Sequence, residues 1–272
     1  MVGLLQQRLT ELGFDTPVDE DFGPGTRGQV EAYQRWAGLD VDGAVGQNTW
    51  AMLWHQSPSA VGERMLVHDG AVEYLERIGF NETVANNPDY DDLAILEAQH
   101  ASQLLVDLGF PDLENAITPE LLKAMWLRES VLDHEVRNRN GRGLGQITQT
   151  GFRGMWDGDY LRMTDLPREE VRELEGSGGW LSLARVHSGE WPSEYSQAFD
   201  YFDQNYDVAA LNASLSTVWL VAQLVQNADE RSPTREALVD YNGSRHKQVY
   251  ARTVLRLRNG YVPRVTSGPN PS

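Results

Sequence analysis

Apolar residues recur at helical spacing just after residue 117, in the segment ITPELLKAMWLRESVLDHEVRNRNGRGLGQITQT. Thr118 can cap the free amide groups at the start of this helix, Pro119 suits the first helical position, and Glu120 complements the positive end of the helix dipole. The spacing predicts one apolar face, built from Leu121, Leu122, Met125 and Trp126. We expect the helix to fray at residues 138–143, where Asn, Arg and Gly favour a loop.

The same periodicity predicts further helices over residues 4–12, 26–37, 49–54, 63–78, 91–108 and 208–228, and the last helices within 233–257. Three of these helices end in Gly-Phe pairs, at Gly13, Gly79 and Gly109. A glycine just past a helix end, followed by an apolar residue, is typical of a left-handed cap with its hydrophobic contact. The segment 208–228 is strongly apolar, which predicts a buried central helix with Trp219 among its core residues.

The first 53 residues contain an internal half-repeat. VDEDFGPGT, which begins at Val18, returns as VDGAVGQNT from Val41. In each copy the Gly can take the turn and the Thr can cap the helix that follows. The three short helices of this segment are predicted to share one small core, formed by Leu5, Leu9, Leu12, Val30, Tyr33, Trp36, Trp50 and Leu53.

Glu129 lies on the apolar face of the helix after residue 117, one turn beyond Met125. Burial of a charged carboxylate without a partner is costly, so burial favours the protonated form. An acid of this kind can hold a proton near neutral pH, as a general acid that cleaves a glycosidic bond must. The structural alternative is a buried acid that pairs with an arginine such as Arg142.

Three sequence blocks within residues 118–257 resemble the soluble lytic transglycosylase and goose-type lysozyme superfamily. The first is Glu129-Ser130 at a helix end, and the second is GLGQIT at 143–148 with a Thr at 150. The family has Gly-Leu-Met-Gln in the second block, so Gly145 stands in place of the usual Met. The third is VDYNG at 239–243, which is similar to the family's Ala-Tyr-Asn-Ala-Gly, and residues 212–220 resemble the family helix before it.

This resemblance implies that Glu129 is the catalytic residue. In the family mechanism the acid protonates the leaving oxygen and then, as a base, helps the C6 hydroxyl of the sugar to close a 1,6-anhydro ring. No second carboxylate is then required. The resemblance also implies four substrate-binding residues, of which Gln146 and Tyr241 line the cleft, Tyr241 helps to orient the intermediate, and Ser130 and Asn242 support the shape of the site.

Residues 4–53 resemble the three-helix type of peptidoglycan-binding domain, through Leu-Gln-x-x-Leu, Phe-Gly-Pro-x-Thr and Val-Asp-Gly-x-Val-Gly-x-x-Thr-Trp. Most of these motif residues also explain themselves as turns and caps, so they identify the fold more directly than they identify binding. The family's grooves lie beside the repeated loops. The resemblance therefore gives a set of candidate wall-binding residues, namely Asp21, Phe22, Arg27, Tyr33 and Asp42.

The expected architecture is mainly α, with a small three-helix peptidoglycan-binding bundle followed by a lysozyme-like helical (α+β) catalytic domain. We place the binding domain at 1–55, a linker at 56–60, the catalytic domain at 61–265 and a disordered tail at 266–272. The part between residue 150 and residue 207 is expected to hold an insert relative to the family. Its aromatic residues are candidates for sugar stacking, although large aromatics more often form cores; they are Trp156, Trp180, Trp191, Tyr195 and Tyr201.

Charge narrows the choice of partners. The chain has 272 residues and a net charge of −17, although its last 42 residues hold eight basic residues against two acidic ones. This balance disfavours nucleic acid and anionic membranes as main partners, and no apolar run is long enough to insert in a bilayer. The absence of Cys excludes disulfides and thiolate metal sites, while His68 and His100 have no partner ligands at metal-binding spacing. We expect peptidoglycan as the partner, a monomer, no metal and no cofactor.

The predicted function is cleavage of the bond between N-acetylmuramic acid and N-acetylglucosamine in peptidoglycan, by a lytic transglycosylase. The N-terminus lacks the pattern of a signal peptide, so the sequence looks like a phage endolysin, made in the host cytoplasm and active on the periplasmic wall after release. A hydrolytic muramidase is the first alternative, and it would need a second carboxylate from among Asp133, Glu135, Asp157 and Asp159. A non-catalytic wall-binding virion protein and an effector delivered into competitor cells are the others.

Overall fold

The computed structural model describes residues 2–11, 14, 16–36, 41–46, 49, 53, 63–138, 140–184 and 191–265, and over these ranges the protein is mostly helical, as predicted. Its helices are α1 (Val2–Glu11), α2 (Pro24–Trp36), α3 (Asp69–Arg77), α4 (Glu82–Ala85), α5 (Asp91–Asp107), α6 (Pro119–Ser130), α7 (Gln149–Asp157), α8 (Arg168–Gly176), α9 (Tyr195–Gln204), α10 (Ala209–Gln226), α11 (Pro233–Asn242) and α12 (Lys247–Arg258). Its strands are β1 (Glu63–Val67), β2 (Gly141–Arg142), β3 (Ile147–Thr148) and β4 (Tyr261–Val265). Short 3-10 segments cover Pro88–Tyr90, Pro111–Leu113, Leu161–Met163 and Gly179–Leu183.

The N-terminal module has the small core that its periodicity predicts. Leu5 and Leu9 of α1 meet Val30 and Tyr33 of α2, and all four side chains are buried together with Leu53. Phe14 packs its edge against the Tyr33 ring, with the ring centroids 5.6 Å apart. The third predicted helix lies mostly outside the described residues, as do the linker at 56–60 and the tail at 266–272.

Residues 63–78 were predicted as one helix, and this prediction is wrong. Strand β1 comes first and pairs antiparallel with β4, so that Glu63 lies opposite Val265 and Val67 lies opposite Tyr261. His68 has extended backbone and separates β1 from α3. The short apolar run of β1 fits a strand or a helix equally well, and its partner strand lies at the far end of the domain, where local periodicity gives no information.

The core of the larger domain is built around α10, which packs against α5 and α11, while α6 packs against α5 and α12. Helix α10 is buried along almost its whole length, which confirms the predicted central helix. The predicted left-handed caps are confirmed at Gly79 and Gly109, whose φ values are 90° and 93°. In each, the amide of the following Phe donates back to the last helical turn, from Phe80 to Leu75 O and from Phe110 to Leu105 O. Gly13 lies outside the described residues.

A buried ion pair fixes the β1–β4 ribbon to this core. Lys123 of α6 and Asp91 of α5 have fully buried side chains and form a salt bridge. The Lys123 ammonium also donates to the Met65 carbonyl of β1 (3.0 Å), and the Asp91 carboxylate accepts from the Met65 amide (3.0 Å). The same ammonium lies 5.2 Å from the centre of the Tyr261 ring in β4. Each charge therefore has its partner and further polar contacts, as burial of a pair requires.

Helix α6 ends at Ser130, well before the predicted fraying at 138–143. Val131 and Leu132 then adopt left-handed backbone conformations, with φ of 61° and 54°, which residues with bulky side chains rarely do. The sharp turn leaves Val131 half exposed and carries Leu132 into the core. The apolar periodicity does not show this end, because both residues continue an apolar pattern, whereas the family resemblance places Glu129-Ser130 at a helix end. Two strained residues thus follow directly after Glu129 and Ser130.

In the predicted insert, the described residues 150–184 and 191–207 form α7, α8, α9 and two 3-10 segments. Phe152 of α7 is its centre and contacts the rings of Trp191, Tyr195, Phe199 and Phe202. In the part of the chain that the structure describes, no helix is both long and apolar enough to cross a bilayer.

Candidate active site and wall-binding module

Glu129 is the penultimate residue of α6, and its side chain is partly buried. Burial raises the pKa of this carboxyl above its ordinary value, while the hydroxyl of Tyr250, the charge of Arg128 and the amide of Asn242 partly oppose the rise. The predicted alternative, an ion pair with Arg142, is wrong, because Arg142 pairs with Asp203. Among the described residues, no ion pair involves the Glu129 carboxylate.

Two tyrosines, Tyr241 and Tyr250, face the carboxylate from α11 and α12. Burial raises the pKa of both hydroxyls well above the ordinary value, and the negative charge of Glu129 raises it further. The Tyr241 hydroxyl donates to the Gly145 carbonyl (2.9 Å). The Tyr250 hydroxyl is buried, makes no well-formed hydrogen bond and lies within electrostatic reach of Glu129. Tyr250 is therefore a neutral donor beside the acid, and sequence analysis missed it.

The GLGQIT segment packs closely against α10 and α11. A side-chain carbon added at Gly145 would come within 2.3 Å of Ser216 Cβ and 2.7 Å of the Tyr241 hydroxyl oxygen. A side-chain carbon added at Gly143, whose φ is 65°, would likewise overlap the Asn212 side chain, at 2.0 Å from its Cγ atom. The glycine at position 145 thus has a packing reason, because the position has no room for a side chain.

Two of the predicted substrate-binding residues hold the loops together. The Gln146 amide nitrogen donates to Val136 O (3.1 Å) and Gly143 O (2.8 Å), and its oxygen accepts from Asn138. Ser130 is buried; its hydroxyl donates to Trp126 O (3.0 Å) and accepts from the Asp133 amide (3.4 Å). Both side chains therefore make their hydrogen bonds within the protein and hold the loops around the site in place.

A cleft of about 710 Å³ adjoins this site. Its walls come from the β2–β3 hairpin, the start of α7 and the end of α11 with the following residues 243–244. Tyr241 lines it, as expected, and so does Asn242, which also interacts with Glu129, whereas Gln146, which was expected to line the cleft, does not. The acid is therefore next to a groove large enough for part of a polysaccharide chain.

The four proposed second carboxylates have different surroundings. Asp133 and Glu135 are exposed in the turn after α6, where Asp133 accepts from the Glu135 amide (2.9 Å). Asp157 pairs with Arg153 one helical turn away (2.7 Å). Asp159 lines the cleft, and burial together with the charge of Asp157 raises the pKa of its carboxyl. Asp159 is the one of the four that the fold brings to the groove.

Two aromatic residues in the cleft, Trp219 and Tyr160, were missed. Trp219 was assigned to the core, but from Ala209 to Val225 it is the one residue of α10 that is not buried. Its ring stacks on that of Tyr160, with centroids 6.5 Å apart and planes 30° from parallel, and both rings line the groove. Trp219 faces the cleft while its neighbours on the helix are buried, and the apolar pattern of the sequence does not show this difference.

The five aromatic residues that were proposed as stacking platforms lie elsewhere. Trp180 is fully buried and donates from its ring nitrogen to Asp159 O (2.5 Å). Trp156 packs on Tyr195, and Trp191 on Phe152 and Tyr201. These residues belong to the aromatic cluster behind α7 and do not line the cleft.

The half-repeat of the N-terminal module is repeated in its hydrogen bonds. The Gln6 amide nitrogen donates to Asp19 Oδ1 (2.6 Å), Asp21 O (2.9 Å) and Thr26 Oγ1 (3.0 Å). In the second copy, the amide nitrogen of Gln34 makes the equivalent bonds to Asp42 Oδ1 (2.7 Å), Ala44 O (2.9 Å) and Thr49 Oγ1 (3.3 Å). One buried Gln thus organises each loop.

These bonds sort the candidate wall-binding residues. Tyr33 is fully buried, so its assignment as a wall contact is wrong, and its periodicity already marked it as core. The Asp42 carboxylate accepts from the Ala44 amide and from Gln34, and these bonds lower its pKa. Arg27 spans the gap between Glu31 and the Asp42 carbonyl. Two exposed residues remain beside the first loop, Asp21 and Phe22.

Among the described residues, no group of three or more His, Asp or Glu side chains is arranged to hold a metal ion. His100 lies 3.4 Å from Glu97 on the same helix, which is a local contact of α5.

These features define a mainly helical protein that joins a repeat-built module to a helical domain with a groove and a partly buried acid. Residues 1–53 match the family described as "Putative peptidoglycan binding domain". This match supports peptidoglycan as a partner of the protein. No curated protein shows significant sequence similarity to the chain.

Proposed function

We propose that the protein is a peptidoglycan lytic enzyme that cleaves the bond between N-acetylmuramic acid and N-acetylglucosamine, with Glu129 as its acid. The observation that carries this proposal is a partly buried carboxyl with a raised pKa, without a cationic partner, beside a groove. Burial of such a group lowers the stability of the fold, so its presence beside a groove points to a functional use of its proton. The family match of residues 1–53 supports the substrate.

In the proposed reaction, protonated Glu129 gives its proton to the glycosidic oxygen as the bond from that oxygen to C1 breaks. The C6 hydroxyl oxygen of the same sugar then bonds to C1, and its proton returns to Glu129. No water is consumed, and the acid is regenerated. Tyr250 and Asn242 stabilise the carboxylate between the two steps, because both lower its pKa.

The test is mass spectrometry of the soluble products from purified peptidoglycan, with the Glu129→Gln variant alongside. Products that end in 1,6-anhydro-muramic acid, absent with the variant, are the expected result. Release of the same products by the variant at the same rate would remove Glu129 from the mechanism.

A hydrolytic muramidase is the second candidate, and the position of Asp159 favours it. This carboxyl lines the cleft and is free to accept a proton from water, as an inverting enzyme requires. Products with reducing ends, together with loss of activity in Asp159→Asn, would establish this reaction in place of the transglycosylase.

The biological role that we propose is that of a phage endolysin, made in the host cytoplasm and active on the periplasmic wall after release. The match of residues 1–53 to a peptidoglycan-binding family supports this role, which rests further on the lytic activity proposed above. Holin genes beside the coding sequence would support an endolysin, and secretion genes would support an effector. A virion protein that only binds the wall would release no product and would keep its affinity for peptidoglycan in the Glu129→Gln variant.

A further inference from the structure

Trp219, Tyr160 and Asp159 line the same cleft as Tyr241 and Asn242, the neighbours of Glu129. Trp219 exposes one ring on an otherwise buried helix, and Tyr160 lies beside it with φ of 72°. A positive φ is unfavourable for an aromatic residue and occurs where the surrounding structure holds the side chain in one place. Both rings line the wall of the groove, with their planes 30° from parallel.

Helix α7 approaches the Trp219 ring closely at a glycine. A side-chain carbon at Gly154 would come within 3.0 Å of the Trp219 ring and 2.9 Å of Asp159 Oδ2. A side-chain carbon at Gly151, one turn earlier, would lie 3.6 Å from the ring nitrogen of the same indole, which is an ordinary contact distance. Glycine is unfavourable inside a helix, so two of them in a nine-residue helix need a reason. Gly154 has one, because the absence of a side chain there lets the indole and the Asp159 carboxylate lie directly against the helix backbone.

The polar groups around the rings indicate the ligand. Asp159 borders the rings, and Asp240 is close enough to Tyr160 for its charge to be felt there, while Gln149 and Thr150 line the same groove. Asp240 is occupied by Asn227 (3.1 Å) and Lys247 (3.5 Å), whereas no ion pair to Asp159 occurs among the described residues. An aromatic surface with a free acceptor at its edge suits the apolar face of a pyranose and its hydroxyl groups.

We propose that Trp219, Tyr160 and Asp159 form a sugar subsite, in which a neutral N-acetylglucosamine stacks on the two rings and donates hydroxyl protons to Asp159. The two carboxylates disfavour a sugar with an anionic substituent at this position, such as a muramic residue without its peptide. This inference rests on the proposed function in one respect, because the subsite would then set which glycosidic bond lies at Glu129. Gly154 is a positioning residue that acts through Trp219 and Asp159.

Binding of chitotetraose to the full chain tests the subsite without catalysis. The Glu129→Gln variant serves as the parent, and affinity is measured by calorimetry while the indole signals are followed by NMR. Trp219→Leu is expected to weaken binding at least about tenfold, as removal of a central aromatic contact does. Trp219→Tyr keeps a stacking face and is expected to recover most of the affinity. Gly154→Ala is expected to weaken binding by displacing the indole.

Trp156→Leu is the matched control, because Trp156 lies on α7 with Gly154 but packs against Tyr195 and does not line the groove. Its affinity should equal that of the parent. If Trp219→Leu loses its fold, Tyr160→Leu and Asp159→Asn take its place. Equal affinity of the Trp219 and Tyr160 variants and the parent, or no binding of chitotetraose by the parent, would overturn the subsite.

The two proposals fail in different ways. Intact binding that depends on Trp219, with no product released from peptidoglycan by the unmodified protein, would refute catalysis and keep the subsite. Product release with chitotetraose affinity that is independent of Trp219 and Tyr160 would keep catalysis and refute the subsite.

Discussion

Helix α6 carries two ionisable residues, Lys123 and Glu129, that are withdrawn from water, and their charges are compensated to different degrees. Lys123 is completely buried, and Asp91, the Met65 carbonyl and the Tyr261 ring surround its ammonium group. Glu129 is less deeply buried, yet its carboxylate has no cationic partner among the described residues. Both charges are costly to remove from water, but only the first is compensated.

This difference separates structure from chemistry. Lys123 has its partner and holds the β1–β4 ribbon against the helices, so its burial is explained by the fold alone. Glu129 has a raised pKa and polar neighbours that do not neutralise it, which is an arrangement that catalysis uses and stability does not. The absence of a partner, more than the depth of burial, points to function.

The largest expected effect is on activity at Glu129. Glu129→Gln keeps the shape of the side chain and removes the proton, so the rate of lysis should fall by about 10²–10⁴-fold, the usual contribution of a general acid. The measurement is release of soluble fragments from purified peptidoglycan. Asp133→Asn is the matched control, since Asp133 is exposed one turn further on, and its rate should stay the same within experimental scatter. If Glu129→Gln is as active as the unmodified protein, Glu129 is not a catalytic acid, and its burial does not differ in purpose from that of Lys123.

The next largest effect is on stability at the buried pair. Asp91→Asn leaves the Lys123 ammonium buried without its counter-charge, so the free energy of unfolding should fall by about 3–5 kcal/mol. Urea unfolding measures this loss. The double variant Lys123→Met with Asp91→Leu should recover most of it, because no uncompensated charge then remains. A change below about 1 kcal/mol in Asp91→Asn would show that the pair contributes little.

A smaller effect of opposite sign is expected for the stability of Glu129→Gln. Folding raises the pKa of Glu129, so the folded state holds its proton more tightly and its stability falls as pH rises from the unfolded pKa through the folded one. Gln never ionises and avoids this loss. The variant should therefore be more stable than the unmodified protein at neutral pH. Each kcal/mol gained in the free energy of unfolding raises the Tm by about 2–4 °C. The gain should vanish below about pH 4, where both states of Glu129 are protonated.

The smallest effect concerns the pH at which Glu129 acts. Tyr250→Phe removes a hydroxyl that lowers the pKa of Glu129, so the loss of activity on the alkaline side should move to higher pH. The pH profile of the lytic rate measures this shift. Tyr241→Phe is the control: its hydroxyl bonds to Gly145 O, so it should cost about 1 kcal/mol of stability without an upward shift of the profile. A profile that stays in place in Tyr250→Phe would place its hydroxyl outside the acid's reach.

The sequence predicts best what neighbouring residues decide. The caps at Gly79 and Gly109 follow from a glycine and the apolar residue after it, and the structure confirms both. Glu129 was identified because a carboxylate on an apolar helix face is a local anomaly. The partly buried position of this carboxyl could thus be predicted from the sequence, whereas Ser130 and Gln146 came only from the family resemblance.

The sequence predicts least well what distant contacts decide. Strand β1 depends on β4, and Lys123 reads as an exposed helix residue until Asp91 is brought to it from another helix. Trp219 shares the periodicity of its buried neighbours, and only the position of the cleft sets it apart. Tyr250 contributes to the site from a helix that the motif blocks do not reach.

The pairing of β1 with β4 has a consequence for how the protein can be rearranged. Glu63, where the chain comes from the N-terminal module, lies directly opposite Val265. Adjacent strands are about 4.7–4.9 Å apart, so the chain enters and leaves this domain at nearly one point. A wall-binding module transplanted behind residue 265 would start from the same position as the natural one in front of residue 63. Exchange of the order of the two parts would therefore leave the point of attachment on this domain almost unchanged.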